Sequence, residues 1–147
     1  MKRYSIILIC FLKLSLFFTS VMAIDSQYFI EGKQLYDNKD FDNSKTFFER
    51  DIVFNPKSEK SYLYLAKIFK EKENLEEHEM KLNSVITLNP KNEEAVYMLI
   101  ALKLDQSDIK KTQELLENFK IICNKLCDKS KELEEKFKRL EPDNVSN

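Results

Sequence analysis

The sequence predicts an all-α chain built as a stack of helical hairpins. Three observations carry this expectation. The 147 residues include one glycine and three prolines, and 33% are charged. That is a composition of long helices joined by short turns. Pro56 and Pro90 stand in the same word, Asn55-Pro56-Lys57-Ser58-Glu59 and Asn89-Pro90-Lys91-Asn92-Glu93, offset by about 34 residues. The same offset relates Tyr28 to Tyr62, Ile52 to Ile86, Phe41 to Leu75 and Ile109, and Phe48 to Leu82 and Leu116. It also relates Asp40, Asn74 and Asp108, all good helix N-caps. Chance can align one pair at a given offset, but not prolines, caps and apolar positions together.

The composition also excludes chemistry. A dinucleotide fingerprint needs three glycines and a phosphate-binding loop needs two. A single histidine argues against a His-rich zinc site or a Ser-His-Asp triad. A formal net charge of −1 gives no electrostatic reason to expect nucleic acid or an acidic membrane as partner. The length predicts one domain with a small but sufficient core.

Residues 1–23 read as a secretory signal peptide. Met1-Lys2-Arg3 is a positive start, Ile6 to Phe18 is almost wholly apolar, and Thr19-Ser20-Val21-Met22-Ala23 ends on a small residue. Cleavage after Ala23 would give an exported protein, periplasmic or extracellular. The rival is an uncleaved anchor over residues 6–24, just long enough to span, but Lys13 near its middle counts against it. A lipid-modified Cys10 is disfavoured by the bulky Ile9 before it. Cleavage would remove Lys2, Arg3 and Lys13 and no acid, leaving a more acidic chain. It would also place Cys123 and Cys127 in an oxidising compartment.

Three hairpin units follow, over 25–58, 59–92 and 93–126. First helices are expected at 26–38, 59–72 and 93–104, with apolar positions at helical spacing, as in Tyr62, Leu65, Ala66 and Phe69. Ser58 and Asn92 are natural N-caps just after the prolines that stop the preceding helices. Short polar turns lead into second helices at about 41–54, 75–88 and 109–123. Glu76 and Glu77 sit in the first turn of one, where the helix dipole favours acids. Each hairpin has one apolar face, and stacking three buries those faces together. Residues 128–141 read as a polar-backed capping helix with Leu133, Phe137 and Leu140 on one stripe. Acid-before-base pairs stand four apart at Glu132–Lys136, Glu134–Lys138 and Glu135–Arg139. Residues 142–147, from Pro142, read as a frayed tail. Nothing between Asp108 and Glu141 is glycine or proline, so residues 109–140 could form one long helix. A break near Cys127–Lys129 is the preferred expectation.

These residues resemble the tetratricopeptide repeat (TPR) family. The first unit matches its pattern with Tyr28, Gly32, Leu35, Ser44, Phe48 and Pro56. The second matches with Tyr62, Leu65, Ala66, Phe69, Leu82 and Pro90. The third is degenerate: Val96, Leu99, Thr112 and Leu116 fit, while Ile100, Lys103 and Asn124 do not. Glu31 and His78 also depart, the latter where a small residue is usual. The resemblance implies a right-handed superhelical stack and a concave groove lined by Phe29, Lys33, Tyr36, Leu63, Lys67, Lys70, Tyr97, Ala101 and Leu104. Such a strip suits an extended or helical peptide with apolar anchors and some acidic character. Phe29, Leu63, Tyr97 and Leu104 could instead pack between helices, leaving the lysines solvated. The carboxylate clamp of some family members needs lysine where Phe29 stands and asparagine where Lys33 stands, so a chaperone-tail ligand of that kind is not expected.

Cys123 and Cys127 read first as two small buried apolar side chains. A disulfide is the alternative and requires the helix to bend there. Two thiols make a poor metal site, since zinc takes four ligands and His78 is distant in sequence. His78 reads as a partly exposed helical residue beside carboxylates, and the Glu71–Glu79 acids as a solvated turn and helix start. The expected function is that of a non-enzymatic scaffold for a protein or peptide partner, with no cofactor, metal, nucleic acid or small-molecule substrate. The membrane would be met only through an uncleaved N-terminal segment. An accessory subunit of an envelope or outer-membrane assembly complex, docking by its convex or end surfaces, is the alternative. A small enzyme is a remoter one. Three units and a cap are about the minimum for a stable stack, so a unit borrowed from a second copy is left open.

Overall fold

The structure is a computed structural model that describes residues 25–140. The signal-peptide or anchor expectation for residues 1–23, Cys10 and the tail at 142–147 lie outside the described residues. Among the described residues seven helices run in order: α1 Gln27–Asp37, α2 Phe41–Phe54, α3 Glu59–Glu71, α4 Leu75–Leu88, α5 Glu93–Asp105, α6 Ile109–Ile122 and α7 Cys127–Leu140. There is no strand among the described residues. Each helix packs on the next along the chain, and α7 also touches α5. The result is a layered stack of three hairpins closed by α7.

Capping defines the hairpins. Asp40, Asn74 and Asp108 accept the backbone N–H groups of Asn43, Glu77 and Lys111 at the starts of α2, α4 and α6. The turn just before each is built identically. Lys39, Glu73 and Ser107 hold left-handed φ values of 62°, 57° and 54°, again one repeat apart. Asn92 caps α5 at Ala95 N–H, 2.8 Å away. Ser58 precedes α3 without capping it, because its hydroxyl donates to Ser61 at 3.0 Å. Ser61 in turn bonds Asp51, which also takes the hydroxyl of Ser26. The Asp51 carboxylate is 1% exposed and ties α1, α2 and α3 together.

A second device repeats inside the first two hairpins. The side chain early in the second helix reaches a carbonyl of the first. Ser44 Oγ donates to the Gly32 carbonyl at 2.8 Å, and His78 Nδ1 lies 2.7 Å from the Ala66 carbonyl. His78 is therefore 2% exposed, not partly exposed as expected, because its ring replaces the small residue of the pattern inside the hairpin. Burial holds its pKa below the ordinary value. At the third equivalent position, Thr112 Oγ1 is buried without a partner. Where α1 crosses α2, Gly32 lets Phe48 lie so close that an added Cβ would meet its ring at 3.0 Å.

The core has two parts. Phe29, Phe48, Leu65, Ile68 and Phe69 form one, joined by Tyr36, Phe41, Ile52 and Tyr64. The larger runs from Leu63 and Ala66 on α3 to Leu133 and Phe137 on α7. Helix α3 contributes to both. Lys103, which departs from the repeat pattern, buries its stem and pairs with Glu79 on α4 at 2.6 Å. Glu79 thus leaves the solvated acid cluster in which its sequence neighbours place it. On α7, Leu133 and Phe137 are buried while Leu140 is 38% exposed. Glu132 pairs with Lys136 at 2.8 Å, but Glu134 crosses to Lys120 of α6 at 3.2 Å.

The chain breaks at Cys123–Leu126, a few residues earlier than expected. Cys123 is extended, with ψ 142°. The bend brings Cys123 and Cys127 together, and they form a disulfide with their Cα atoms 5.1 Å apart, within the range a bridge allows. Both are half-buried, so the reading as two buried free thiols is corrected. Glu93 explains where the break falls. One carboxylate oxygen accepts the N–H groups of Asn124, Lys125 and Leu126 at 2.8–2.9 Å. Those donors hold the Glu93 pKa below the usual carboxylate range, that of Asn124 most. The first two units carry proline where Asn124 stands, and proline has no N–H to give.

Candidate functional site

The first helices of the hairpins, together with the start of α7, enclose a groove of about 640 Å³. Tyr36 from α1, Lys67, Lys70 and Glu71 from α3, Glu94, Tyr97 and Met98 from α5, and Leu126 and Lys129 at α7 form most of its wall. Helical spacing produces this wall directly. Lys67 and Lys70 on α3, and Glu94, Tyr97 and Met98 on α5, fall on one face three or four residues apart.

Of the expected groove residues, Tyr36, Lys67, Lys70 and Tyr97 line it. Phe29, Leu63 and Leu104 do not. They are 6%, 9% and 5% exposed and belong to the core. Apolar side chains between closely stacked helices bury themselves there rather than wait for a ligand. Ala101 is half-buried on α5, and Lys33 is exposed and paired with Asp37 at 2.5 Å. Neither lines the groove.

The electrostatics also differ from a simple lysine strip. Lys67 is taken up by Glu94 at 2.8 Å and lies 4.9 Å from the Tyr64 ring centroid. Glu93 is committed to the three backbone N–H groups of the break. Lys70, Lys125 and Lys129 form no ion pair among the described residues. Lys129 sits over Tyr97, 5.1 Å from its ring centroid. Three lysines without an ion-pair partner thus line the groove beside its tyrosines, with Glu93 and Glu132 near enough to Lys125 and Lys129 to feel their charge. Tyr36 is half-buried, and burial first, then Glu71, raises its phenol pKa. It stays a neutral donor at physiological pH. Tyr64 supports it from below, edge-on at 5.0 Å between ring centroids.

Reasoning from the resemblance missed Met98, Leu126, Lys125 and Lys129. The last three lie at the break and the cap, which the repeat pattern does not describe. Their only signal was the word offset itself, which puts Lys125 in register with Lys57 and Lys91. Among the described residues no group of His, Cys, Asp and Glu could hold a metal ion, and no helix is long and apolar enough to cross a membrane.

No sequence-family model matches the chain, and no curated protein matches it in sequence. Solved structures do match its fold. The TPR2B domain of yeast Sti1, in a complex described with pHsp70, superposes with TM-score 0.70 at 15% identity, covering 77% of this chain and 94% of that one. The first TPR of Spaghetti (RPAP3), bound to the HSP90 peptide SRMEEVD, gives TM-score 0.69 at 14% identity, covering 81% and 100%. The Yersinia enterocolitica type III secretion chaperone SycD, with a peptide of the translocator YopD, gives 0.68 at 12% identity, covering 82% and 97%. The chain has the fold of these tetratricopeptide domains.

Proposed function

With the tetratricopeptide fold as premise, we propose that this chain is a non-enzymatic scaffold that holds a peptide or protein partner in the groove between α1, α3, α5 and α7. The observation that carries the reading is the ring of Lys70, Lys125 and Lys129 around Tyr36 and Tyr97. It suits a short extended segment bearing an apolar or aromatic side chain flanked by acids. Structural neighbours described with bound peptides support the general class. Phe29 and Lys33 stand where a carboxylate clamp would need lysine and asparagine, so the ligand is an internal acidic segment rather than a chaperone tail. The Cys123–Cys127 disulfide favours export to an oxidising compartment, in keeping with the leader-like residues 1–23.

A displayed library of random peptides tests this. Peptides with acids around an apolar residue should be enriched, and Lys70→Glu with Lys129→Glu should abolish the enrichment while leaving helical circular dichroism unchanged. Enrichment that is absent, or indifferent to both charge reversals, rejects the groove as the binding site.

A further inference from the structure

The sequence of α6 and α7 is that of one helix, not two. Nothing between Asp108 and Glu141 is glycine or proline. Leu115, Phe119, Ile122, Leu126, Leu133, Phe137 and Leu140 follow at steps of three, four or seven residues, the stripe of an unbroken helix. The structure instead ends α6 at Ile122 and restarts at Cys127. The break deprives the N–H groups of Asn124, Lys125 and Leu126 of the carbonyls four residues earlier, which a continuous helix would give them.

Two restraints hold the bend. One is Glu93, of which a single carboxylate oxygen serves all three N–H groups. The other is the Cys123–Cys127 bond, with its Cα atoms 5.1 Å apart. That bond and a continuous helix exclude each other. Residues four apart on a helix hold their Cβ atoms about 5–6 Å apart, whereas a disulfide needs about 3.5–4.5 Å. While the bond stands, α7 folds back on its own chain, and Leu133 and Phe137 complete the core at the end of the stack.

We propose that the Cys123–Cys127 bond is a lock against helix exchange: once a dithiol reduces it, α6 and α7 join as one helix, and α7 docks on the α5–α6 end of a second copy of this chain, which returns its own α7. In the reduction a thiolate of the dithiol attacks one cysteine sulfur, and its second thiol then displaces the other. The dithiol leaves as a disulfide, and its two protons pass to Cys123 and Cys127. A second copy is the occupant because the receiving surface is the one α7 already covers at home. The packing of Leu133 and Phe137 and the Lys120–Glu134 pair are remade between chains, which is what makes exchange a low-cost route to a dimer. Joining the helices also returns helical carbonyls to the three N–H groups. It brings the two hinges together beside Ile121, at 83% the most exposed large apolar side chain among the described residues. Lys125 and Leu126 leave the groove wall for the joined helix, so exchange remodels the groove, but the proposal does not rest on what the groove binds.

The test is a distance and a mass. The full-length chain carries Gln113→p-acetylphenylalanine and Lys138→p-acetylphenylalanine, spin-labelled at the keto groups so that no thiol is consumed, and is diluted with unlabelled chain. Oxidised, double electron–electron resonance should read two neighbouring helices, about 20 Å or less. With dithiothreitol a population should appear at about 37 Å, the length of continuous helix from residue 113 to residue 138. Light scattering should show the mass doubling relative to the oxidised chain, without loss of helical circular dichroism. Cys123→Ser with Cys127→Ser should show both changes without dithiothreitol. A separation that stays short in the reduced chain and in the serine pair, a doubled mass with the short separation kept, or a long separation without a doubled mass would each overturn the proposal.

Discussion

Replacing Gly32 by alanine sets two known effects against each other. Alanine gains about 1 kcal/mol over glycine within a helix. Its Cβ would stand 3.0 Å from both Cδ1 and Cε1 of Phe48 and 3.2 Å from Cβ of Phe47, where carbon contacts are comfortable only at about 3.5–4.0 Å. The Phe48 ring is 0% exposed and has nowhere to retreat. Tyr64 stacks on it with ring centroids 5.0 Å apart, and Phe29 leans against it at 5.7 Å. Overpacking of this kind costs about 1–3 kcal/mol, so the net loss should be about 1 kcal/mol, or a fall in Tm of roughly 3–6 °C. The chain supplies its own control. At the equivalent crossings Ala66 faces Leu82 and Ile100 faces Leu116, so a larger residue on the first helix accompanies a smaller one on the second. Gly32→Ala combined with Phe48→Leu should therefore lose less than the sum of the single changes, with a coupling of about 1 kcal/mol in a double-mutant cycle. Urea unfolding followed by circular dichroism measures all four proteins. Strict additivity, or a Gly32→Ala protein more stable than the parent, would refute the reasoning and the repeat register behind it.

Three other outcomes follow from particular contacts. Glu73 holds a left-handed φ of 57°, which costs an ordinary residue about 1–2 kcal/mol. Glu73→Gly should therefore raise stability by about 0.5–1 kcal/mol once glycine's greater unfolded-state entropy is deducted, and a lower Tm would contradict this. His78 is buried and its pKa lies below the ordinary 6.5, so the unfolded chain binds a proton that the folded chain refuses. Stability should fall as pH drops below about 6.5, until the lower folded-state pKa is reached. His78→Ser should lose that dependence, and a melting profile flat across this window in the parent would count against the buried neutral imidazole. The Cys123–Cys127 bridge closes a loop of sequence separation 4, and chain entropy for so small a ring amounts to about 2 kcal/mol. Dithiothreitol should lower the unfolding midpoint accordingly and leave a Cys123→Ser, Cys127→Ser protein unaffected.

The helices were legible because their signals are local and repeated. The structure ends α2 and α4 at Phe54 and Leu88, where the Asn-Pro word and the periodicity placed them. Asp40, Asn74 and Asp108 cap as their residue types predict. The left-handed turn residues were not legible, since Lys39, Glu73 and Ser107 share no chemistry and only their spacing marks them. The break before α7 was displaced for a similar reason. Its position depends on Glu93 reaching across about 30 residues to three backbone N–H groups, and no pattern at helical spacing encodes that.

The groove shows where family resemblance reaches its limit. Of the inner-face positions the resemblance implies, Tyr36, Lys67, Lys70 and Tyr97 line the groove, and burial removes others. Phe29 and Leu63 are used up in packing α1 and α3 against their neighbours, while Tyr36 and Tyr97 carry a polar end that must reach water or a partner. Charge was divided likewise. A lysine with an acid one turn or one helix away, as Lys33 has in Asp37 and Lys67 in Glu94, offers a partner little, because that partner must first displace an existing pair. Lys70, Lys125 and Lys129 hold no ion pair among the described residues, so a ligand's carboxylates meet them without first displacing one, although Glu93 and Glu132 temper Lys125 and Lys129 from nearby. Two of those three come from the break and cap, outside the regular repeats. The irregular end of the stack therefore supplies much of the charge open to a partner, and the regular hairpins supply the aromatic floor against which it acts.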